Sequence, residues 1–318
     1  MNSQMEMLPV SFMTDRLGKA NIVLLGIPYE RTLSAMKGAS GGPAAICNQL
    51  KYQVEDIDHR LFRPYGDNIL AVREKGEDLG LAGHVNVFEH QMKDVHNLEP
   101  ERMAQIVFER AREFLSMNKF LVGLGGEHTV SLGLFQSLQG FYRDESFAVI
   151  QVDAHADLRP DTSDYDPEPR TLAHSTVMHH IKNLGVELYQ LGIRSMSSRE
   201  FAQAAREGQL KNIFFARSRA GYVSELINSI KADNVFLTID VDGFDPSIMP
   251  ATGTPEPGGL DWNQFLFFAE NLFRLKNVVG FDVVEVSQGE EFSKADRVRT
   301  AYNAALLVHQ LLCYKFRK

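Results

Sequence analysis

Four carboxylates and two imidazoles stand at positions where their types and spacing could bind metal ions. These six residues are His128, Asp153, His155, Asp157, Asp240 and Asp242. Together they can neutralise two divalent cations, with carboxylates bridging ions that lie about 3.5–4 Å apart in sites of this kind. Two such ions lower the pKa of bound water, so that a hydroxide held between them becomes a nucleophile near neutral pH. The set therefore predicts a two-metal centre for hydrolysis.

The ligand chemistry favours manganese. Oxygen ligands predominate and no cysteine lies near the motifs, which favours Mn²⁺ or Mg²⁺ over a structural zinc ion. The two histidines shift the preference towards a transition metal. We therefore expect two Mn²⁺ ions per subunit as cofactors.

Each motif follows a hydrophobic, β-branched run, so the candidate ligands stand where strands end. The three runs are residues 119–124, 147–152 and 235–239. Strand-like runs alternate along the chain with longer helical stretches such as residues 100–117 and 263–273. This alternation predicts a three-layer α/β/α fold with a central, mostly parallel sheet. Ligand sites in such sheets form at the carboxyl ends of the strands, where these side chains would meet.

Two other interpretations of the motifs have to be weighed. Aspartates and histidines after strands often serve as helix N-caps and turn formers. So many acidic groups crowded together would repel one another without a cation, which disfavours that interpretation. A dinuclear phosphoesterase fits the ligand types almost as well, but no glycine-rich phosphate cradle or arginine cluster accompanies them.

The motifs resemble, in order and spacing, those of the ureohydrolase family, which includes arginase, agmatinase, guanidinobutyrase, proclavaminate amidinohydrolase and formimidoylglutamase. The resemblance spans nearly the whole chain. Besides the metal-binding motifs it rests on residues 26–29, 38–43, 251–259 and 280–286. It implies an arginase-like fold, in agreement with the pattern of strands and helices.

The resemblance also implies how the candidates would share two manganese ions. One ion would be bound by His128, Asp153, Asp157 and Asp240, and the other by Asp153, His155, Asp240 and Asp242. Asp153 and Asp240 would bridge the ions. Asp157 would in addition accept a hydrogen bond from the hydroxide.

Glu285 resembles the glutamate with which the family binds a guanidinium group. Two parallel N–H donors of a guanidinium can engage both oxygens of one carboxylate, which fixes the plane of attack. Glu285 would thereby hold the central carbon of the substrate facing the hydroxide. The alternative is that Glu285 is only a charge at the end of a strand.

The segment between Asp157 and Ile181 differs most among members of this family. Three prolines in a polar run predict a loop at the mouth of the site. The segment lacks the arginase and formimidoylglutamase patterns but keeps a histidine, His174, as agmatinases do. The resemblance therefore favours hydrolysis of agmatine, a small cationic guanidino compound, to putrescine and urea, a reaction of polyamine biosynthesis. His174 would pass a proton to the departing amine, although it could instead cap the helix that begins near Ser175.

Other members of the family remain as alternatives: guanidinobutyrase, formimidoylglutamase and arginase. The insertion between Arg159 and His174 looks longer than in archaeal-type agmatinases, and Arg159 could contact an anionic substrate. Acidic residues of the same segment could instead attract a dication; they are Asp161, Asp164, Asp166 and Glu168. A non-catalytic member is disfavoured because every candidate ligand is present.

Composition bounds the remaining expectations. With 41 acidic and 33 basic residues the formal charge is −8, which argues against a nucleic-acid partner. No hydrophobic run approaches the roughly 18 residues of a membrane helix, and residues 1–10 lack the apolar core of a signal peptide. We expect a cytoplasmic enzyme with one domain over residues 1–318. The resemblance implies a homo-oligomer, either a trimer or a hexamer.

Overall fold

A central sheet of eight strands organises the protein. The computed structural model describes residues 13–32, 35–54, 86–143, 145–216 and 222–316. The strands are β1 (Ile22–Ile27), β2 (Val87–Gln91), β3 (Phe120–Gly125), β4 (Phe147–Val152), β5 (Glu187–Ile193), β6 (Ile213–Phe215), β7 (Asn234–Asp240) and β8 (Asn277–Val284). Their order across the sheet is β2-β1-β3-β8-β7-β4-β5-β6, and every neighbouring pair is parallel. The predicted parallel sheet is confirmed.

Helices cover both faces of this sheet. They are α1 (Gly42–Tyr52), α2 (Pro100–Ser116), α3 (Ser131–Phe141), α4 (Val177–Lys182), α5 (Ser198–Arg206), α6 (Tyr222–Ser229), α7 (Trp262–Leu275) and α8 (Lys294–Phe316). Residues of α1, α7 and α8 pack with Ile22 and Leu24 of β1 in one core, whereas residues of α2 and α3 pack with Val23 and Leu25 in the other. Alternate side chains of a strand point to opposite faces, so the central strands are buried on both sides. The three-layer α/β/α prediction is confirmed.

The strand order brings the motifs together. β3, β8, β7 and β4 are consecutive neighbours in the middle of the sheet. Because they are parallel, their carboxyl ends lie at one edge, and the loops after them converge there. The β7–β8 register pairs Thr238 with Asp282 and Asp240 with Val284. Residues that are far apart in sequence thus become neighbours at this edge.

The predicted elements and the observed ones agree closely within the described part of the chain. The stretch from 158 to 173 contains no helix or strand, as its prolines predicted, and a short 3₁₀ helix, His174–Thr176, leads into α4. The sequence interpretation missed the two edge strands, β2 and β6. None of the described helices combines the length and the apolar character needed to cross a membrane. Residues 1–10 lie outside the described residues, and the one-domain assignment stays a prediction.

Candidate active site

The first group of candidate ligands surrounds His128, which begins a 3₁₀ helix directly after β3. Its Nδ1 atom lies 3.1 Å from an oxygen of Asp153 and 3.1 Å from an oxygen of Asp157. An oxygen of Asp240 lies 3.8 Å away. All four side chains are buried, so the structure gathers them into one compact cluster.

The second group surrounds His155. Its Nδ1 atom lies 3.0 Å from an oxygen of Asp242 and 3.6 Å from an oxygen of Asp153. Asp153 belongs to both groups. The ligand atoms of His128, Asp153 and Asp240 lie within 4.8 Å of one another, and so do those of Asp153, His155 and Asp242. The structure therefore brings all six predicted residues together, with Asp153 between the two histidines.

The donor set fits divalent cations. The Nδ1 atom of His128 is buried and faces the carboxylates of Asp153 and Asp157, while its Nε2 lies 2.9 Å from the hydroxyl of Thr238. One ring nitrogen is thus anchored and the other is directed at carboxylates, as in histidines that bind metals. Burial and neighbouring carboxylates raise the pKa of Asp240 and Asp242 and bring that of Asp157 to about 7. The four carboxylates outnumber the two imidazoles, so added positive charge would stabilise the ionised cluster, and the six residues could bind two cations.

Backbone donors orient these carboxylates. The N–H groups of His155 and Asp242 donate to Asp153 and Asp240, over 2.6 and 2.9 Å. Asp157 has a backbone φ of 51°, in the left-handed region that residues other than glycine rarely adopt. A strained backbone of this kind persists where the surrounding structure determines it, and such positions cluster at functional sites.

Glu285 reaches the same cluster from the end of β8. It also has a left-handed backbone, with a φ of 65°. One of its oxygens accepts a hydrogen bond of 2.8 Å from the backbone N–H of His128. Burial and the nearby Glu127 raise the pKa of Glu285 well above its ordinary value. A positively charged group would be a favourable partner for this carboxylate.

His174 contacts the side chain of Thr32, with 3.1 Å between Nδ1 and the threonine hydroxyl. The N-cap of its 3₁₀ helix is Ala173, and His174 makes no capping hydrogen bond. The alternative that His174 serves as a helix cap is therefore wrong. Burial lowers its pKa, although the charge of Glu127 opposes this effect.

A cavity of about 300 Å³ joins these side chains. Its inner end is lined by His128, His155, Asp157, His174, Asp240 and Glu285. The side chains that line the rest of the cavity, here called its outer wall, include the partly exposed Arg159, Tyr165, Ser195 and Met196 and the buried Glu200. Cations and an extended small molecule could therefore be bound side by side, with the molecule's far end at the rim.

A family model described as the arginase family matches residues 20–313. The chain belongs to the arginase family. An N(1)-aminopropylagmatine ureohydrolase of Synechocystis is 34% identical over 288 residues, which cover 89% of this chain and 87% of that protein. An agmatinase of Halalkalibacterium halodurans is 31% identical and covers 92% of each chain. This member of the family is a hydrolase that acts on carbon–nitrogen bonds.

Solved structures of the family share the fold. The proclavaminate amidino hydrolase of Streptomyces clavuligerus superposes with a TM-score of 0.75 at 21% identity, over 98% of this chain and 97% of that one. The agmatine ureohydrolase of Thermoplasma volcanium superposes with a TM-score of 0.71 at 24% identity, over 98% and 96%. The arginase-like fold inferred from the motifs is thereby confirmed.

The rim of the cavity does not provide the free negative charge that was expected from its acidic residues. None of the four predicted acidic residues lines the cavity; these are Asp161, Asp164, Asp166 and Glu168. Asp164 pairs with Arg159 over 2.5 Å and with Arg199 over 3.1 Å. The guanidinium group of Arg159 also lies over the ring of Tyr165. Asp161 and Asp164 are thus paired with arginines, and because none of the four carboxylates lines the cavity, their predicted attraction for a dication has no support at the cavity wall.

Sequence reasoning missed four side chains that support or line the site. Thr32 and Glu127 lie behind His174, Thr238 lies behind His128, and Glu200 forms part of the outer wall. Only Glu200 carries a recognisable pattern, because Ser197 and Glu200 form a capping box at the start of α5. Its carboxylate also accepts a hydrogen bond of 3.0 Å from the backbone of Leu158.

Proposed function

We propose that this arginase-family enzyme hydrolyses the guanidino group of a small cationic substrate, with agmatine as the first candidate and putrescine and urea as products. The observation that carries the proposal is the position of Glu285. This buried carboxylate lines the same cavity as His128, Asp157 and Asp240. A carboxylate beside a two-cation cluster is the arrangement needed to hold a guanidinium group next to an activated water molecule.

In this proposal the six clustered residues bind two Mn²⁺ ions. As the family resemblance implies, His128, Asp153, Asp157 and Asp240 would hold one ion, and Asp153, His155, Asp240 and Asp242 would hold the other; the observed clusters support these sets. When bound, the ions supply the positive charge that lowers the pKa of a water molecule and makes it nucleophilic at neutral pH. The mixed carboxylate and imidazole donor set suits manganese.

Glu285 positions the substrate. Two N–H groups of a guanidinium can donate to its two carboxylate oxygens, and this fixes the plane of the group. The backbone N–H of His128 already donates to Oε1, which holds the carboxylate in place before substrate arrives. Orientation of this kind contributes to catalysis because it lowers the entropic cost of reaching the transition state.

His174 accepts a proton and then donates one to the leaving nitrogen. Water adds to the central guanidinium carbon, the bond from that carbon to the alkyl nitrogen breaks, and the nitrogen leaves as an amine after taking a proton. Burial lowers the pKa of this ring, which favours the neutral form that accepts a proton before donating one to the leaving nitrogen.

A second substrate has specific support. The relatives include N(1)-aminopropylagmatine ureohydrolases from Synechocystis and Thermus thermophilus, at 34% and 30% identity. Agmatine with an added aminopropyl group carries one more amine, which would reach the outer wall near Glu200 and Tyr165. Anionic substrates are disfavoured because a substrate carboxylate would have to compete with Asp164 and Glu200 for Arg159, the cation it would need.

Other parts of the proposal follow from the sequence. The acidic net charge of −8 fits a small cationic substrate better than a nucleic acid. We also propose a cytoplasmic homo-oligomer, a trimer or a hexamer, that functions in polyamine biosynthesis.

Urea release by the purified protein tests the proposal. The protein reloaded with Mn²⁺ is given agmatine, N(1)-aminopropylagmatine, arginine and 4-guanidinobutyrate in parallel, beside a metal-free control. Urea from agmatine, or from its aminopropyl derivative, only when metal is present is the expected result. The ratio of kcat/KM for these two compounds then identifies the substrate. Urea from none of the four would refute the assignment to these guanidino substrates.

A further inference from the structure

A buried chain of hydrogen bonds runs behind His174. Glu127 is fully buried, and Thr32 is 8% exposed. The Thr32 hydroxyl lies 2.5 Å from Oε1 of Glu127 and 3.1 Å from Nδ1 of His174. The backbone N–H of His174 donates to the same hydroxyl oxygen over 3.0 Å. Thr32 therefore links a buried carboxylate to the ring of His174.

Both carboxylate oxygens of Glu127 accept hydrogen bonds. Its Oε2 accepts the backbone N–H groups of Arg31 and Thr32, each over 2.7 Å. Its Oε1 accepts the hydroxyl of Thr129 over 2.6 Å as well as that of Thr32. A carboxylate with this many donors is held as an acceptor, so the single hydroxyl proton of Thr32 is directed at Glu127.

The direction of these bonds determines the tautomer of His174. Since the proton of Thr32 is used by Glu127, the oxygen of Thr32 can only accept from the imidazole. Nδ1 of His174 must then carry the proton, and in the neutral ring Nε2 is the nitrogen with a free lone pair. This is the logic by which a buried carboxylate orients a catalytic histidine, with a hydroxyl placed between the two.

We propose that Thr32 and Glu127 are positioning residues that hold His174 in the Nδ1–H tautomer, with Nε2 available to exchange a proton in the cavity. The inference rests on the proposed role of His174 in proton transfer. Nε2 takes up a proton as water adds to the guanidinium carbon, and it returns that proton to the leaving nitrogen as the carbon–nitrogen bond breaks. The Nδ1–H···Thr32 bond persists through both steps, so the ring does not have to turn.

Matched variants distinguish a role of Thr32 in positioning His174 from a role in packing. Thr32→Val keeps the shape of the side chain but removes the acceptor, and Thr32→Ser restores the hydroxyl. Thr129→Val removes a similar hydrogen bond to the same Glu127 oxygen, and the Thr129 hydroxyl lies 3.4 Å from that of Thr32, so this variant keeps the Thr32–His174 contact while it loosens the surroundings of Glu127. We expect kcat to fall about 10- to 100-fold in Thr32→Val, part of the roughly 10²–10⁴-fold contribution of a general acid–base group. KM and manganese content should change little, and Thr32→Ser and Thr129→Val should retain most of the turnover.

A spectroscopic measurement tests the inference without turnover. ¹⁵N-histidine NMR of the protein with diamagnetic Mg²⁺ in place of Mn²⁺, with the resonance assigned through His174→Gln, reports which ring nitrogen carries the proton. We expect the Nδ1–H tautomer in the wild type and in Thr32→Ser, and loss of that preference in Thr32→Val. An Nε2–H tautomer in the wild type, or a Thr32→Val enzyme with normal kcat, would overturn the inference. If no guanidino compound is hydrolysed but the tautomer is as expected, the proposed function fails while the positioning stands.

Discussion

The inner end of the cavity is assembled from buried strand ends, whereas its rim is assembled from a proline-containing segment and charged pairs at the surface. At the inner end Asp153 is fully buried and Asp242 is 2% exposed, and backbone N–H groups orient both carboxylates. At the rim the side chains of Arg159 and Asp164 are 22% and 28% exposed. Ion pairs with this much exposure contribute little free energy and can rearrange.

This difference assigns separate tasks to the two regions. The inner end holds the candidate cation ligands together with Glu285, so in the proposed function it is the region that carries out the reaction. The rim holds a network of arginines and carboxylates around an aromatic ring, Tyr165, and it can select substrate length and charge. Substitutions at the inner end should therefore abolish turnover for every substrate, whereas those at the rim should change the preference among substrates.

Asp157→Asn should have the largest effect. It weakens cation binding and removes the acceptor expected to orient the nucleophilic water. We expect turnover to fall by more than about 100-fold, the upper range for residues that merely support a ligand. Urea release and metal content measured together provide the test, and Asp161→Asn at the rim is the matched control. Near-normal activity with full metal occupancy would exclude this role for Asp157.

Glu285→Gln should lower kcat/KM by roughly 10- to 100-fold. The guanidinium group of the substrate would then donate hydrogen bonds to a neutral amide instead of a charged carboxylate. Metal content should stay unchanged, since Glu285 is not among the proposed ligands. Glu256→Gln is the control, as its carboxylate lies 3.8 Å from His155 but outside the cavity lining. Loss of metal in Glu285→Gln would argue that Glu285 supports the cation cluster rather than the substrate.

Thr238→Val should weaken Mn²⁺ binding by about 10- to 100-fold, the range found for partners that orient a metal-binding histidine. The variant keeps the buried volume but leaves Nε2 of His128 without its 2.9 Å partner. Calorimetric titration with Mn²⁺ measures the change directly. Ser131→Ala is the comparison, because Ser131 contacts Thr238 over 3.3 Å. Equal losses in both variants would point to general destabilisation of this part of the core.

Arg159→Ala should have the smallest effect on agmatine turnover, within about fivefold, because it removes a partly exposed ion pair. KM for a carboxylate substrate such as 4-guanidinobutyrate should rise more. Arg199→Ala, which also loses a contact with Asp164, shows the effect of loosening the rim alone. A collapse of agmatine turnover in Arg159→Ala would mean that the rim takes part in the reaction.

Sequence patterns were sufficient to predict the candidate ligands where these residues lie in a contiguous motif. Asp153, His155 and Asp157 stand in five consecutive residues after a buried strand, and their meeting with Asp240 and Asp242 follows from parallel strand ends sharing one edge. The acidic residues of the loop show the opposite case. Asp161 and Asp164 read as free negative charge, yet Arg199 lies 35 or more positions later and neutralises them.

The sequence by itself determined the fold class and the residues that cluster, because strand periodicity and local motifs depend on neighbours in the chain. Only the tertiary structure decided how each side chain is supported. Thr32 meets Glu127 across 95 residues and His174 across 142, and Thr238 meets His128 across 110. Such hydrogen bonds depend on the order of strands in the sheet and on which side chains share a buried space, and no local pattern encodes either.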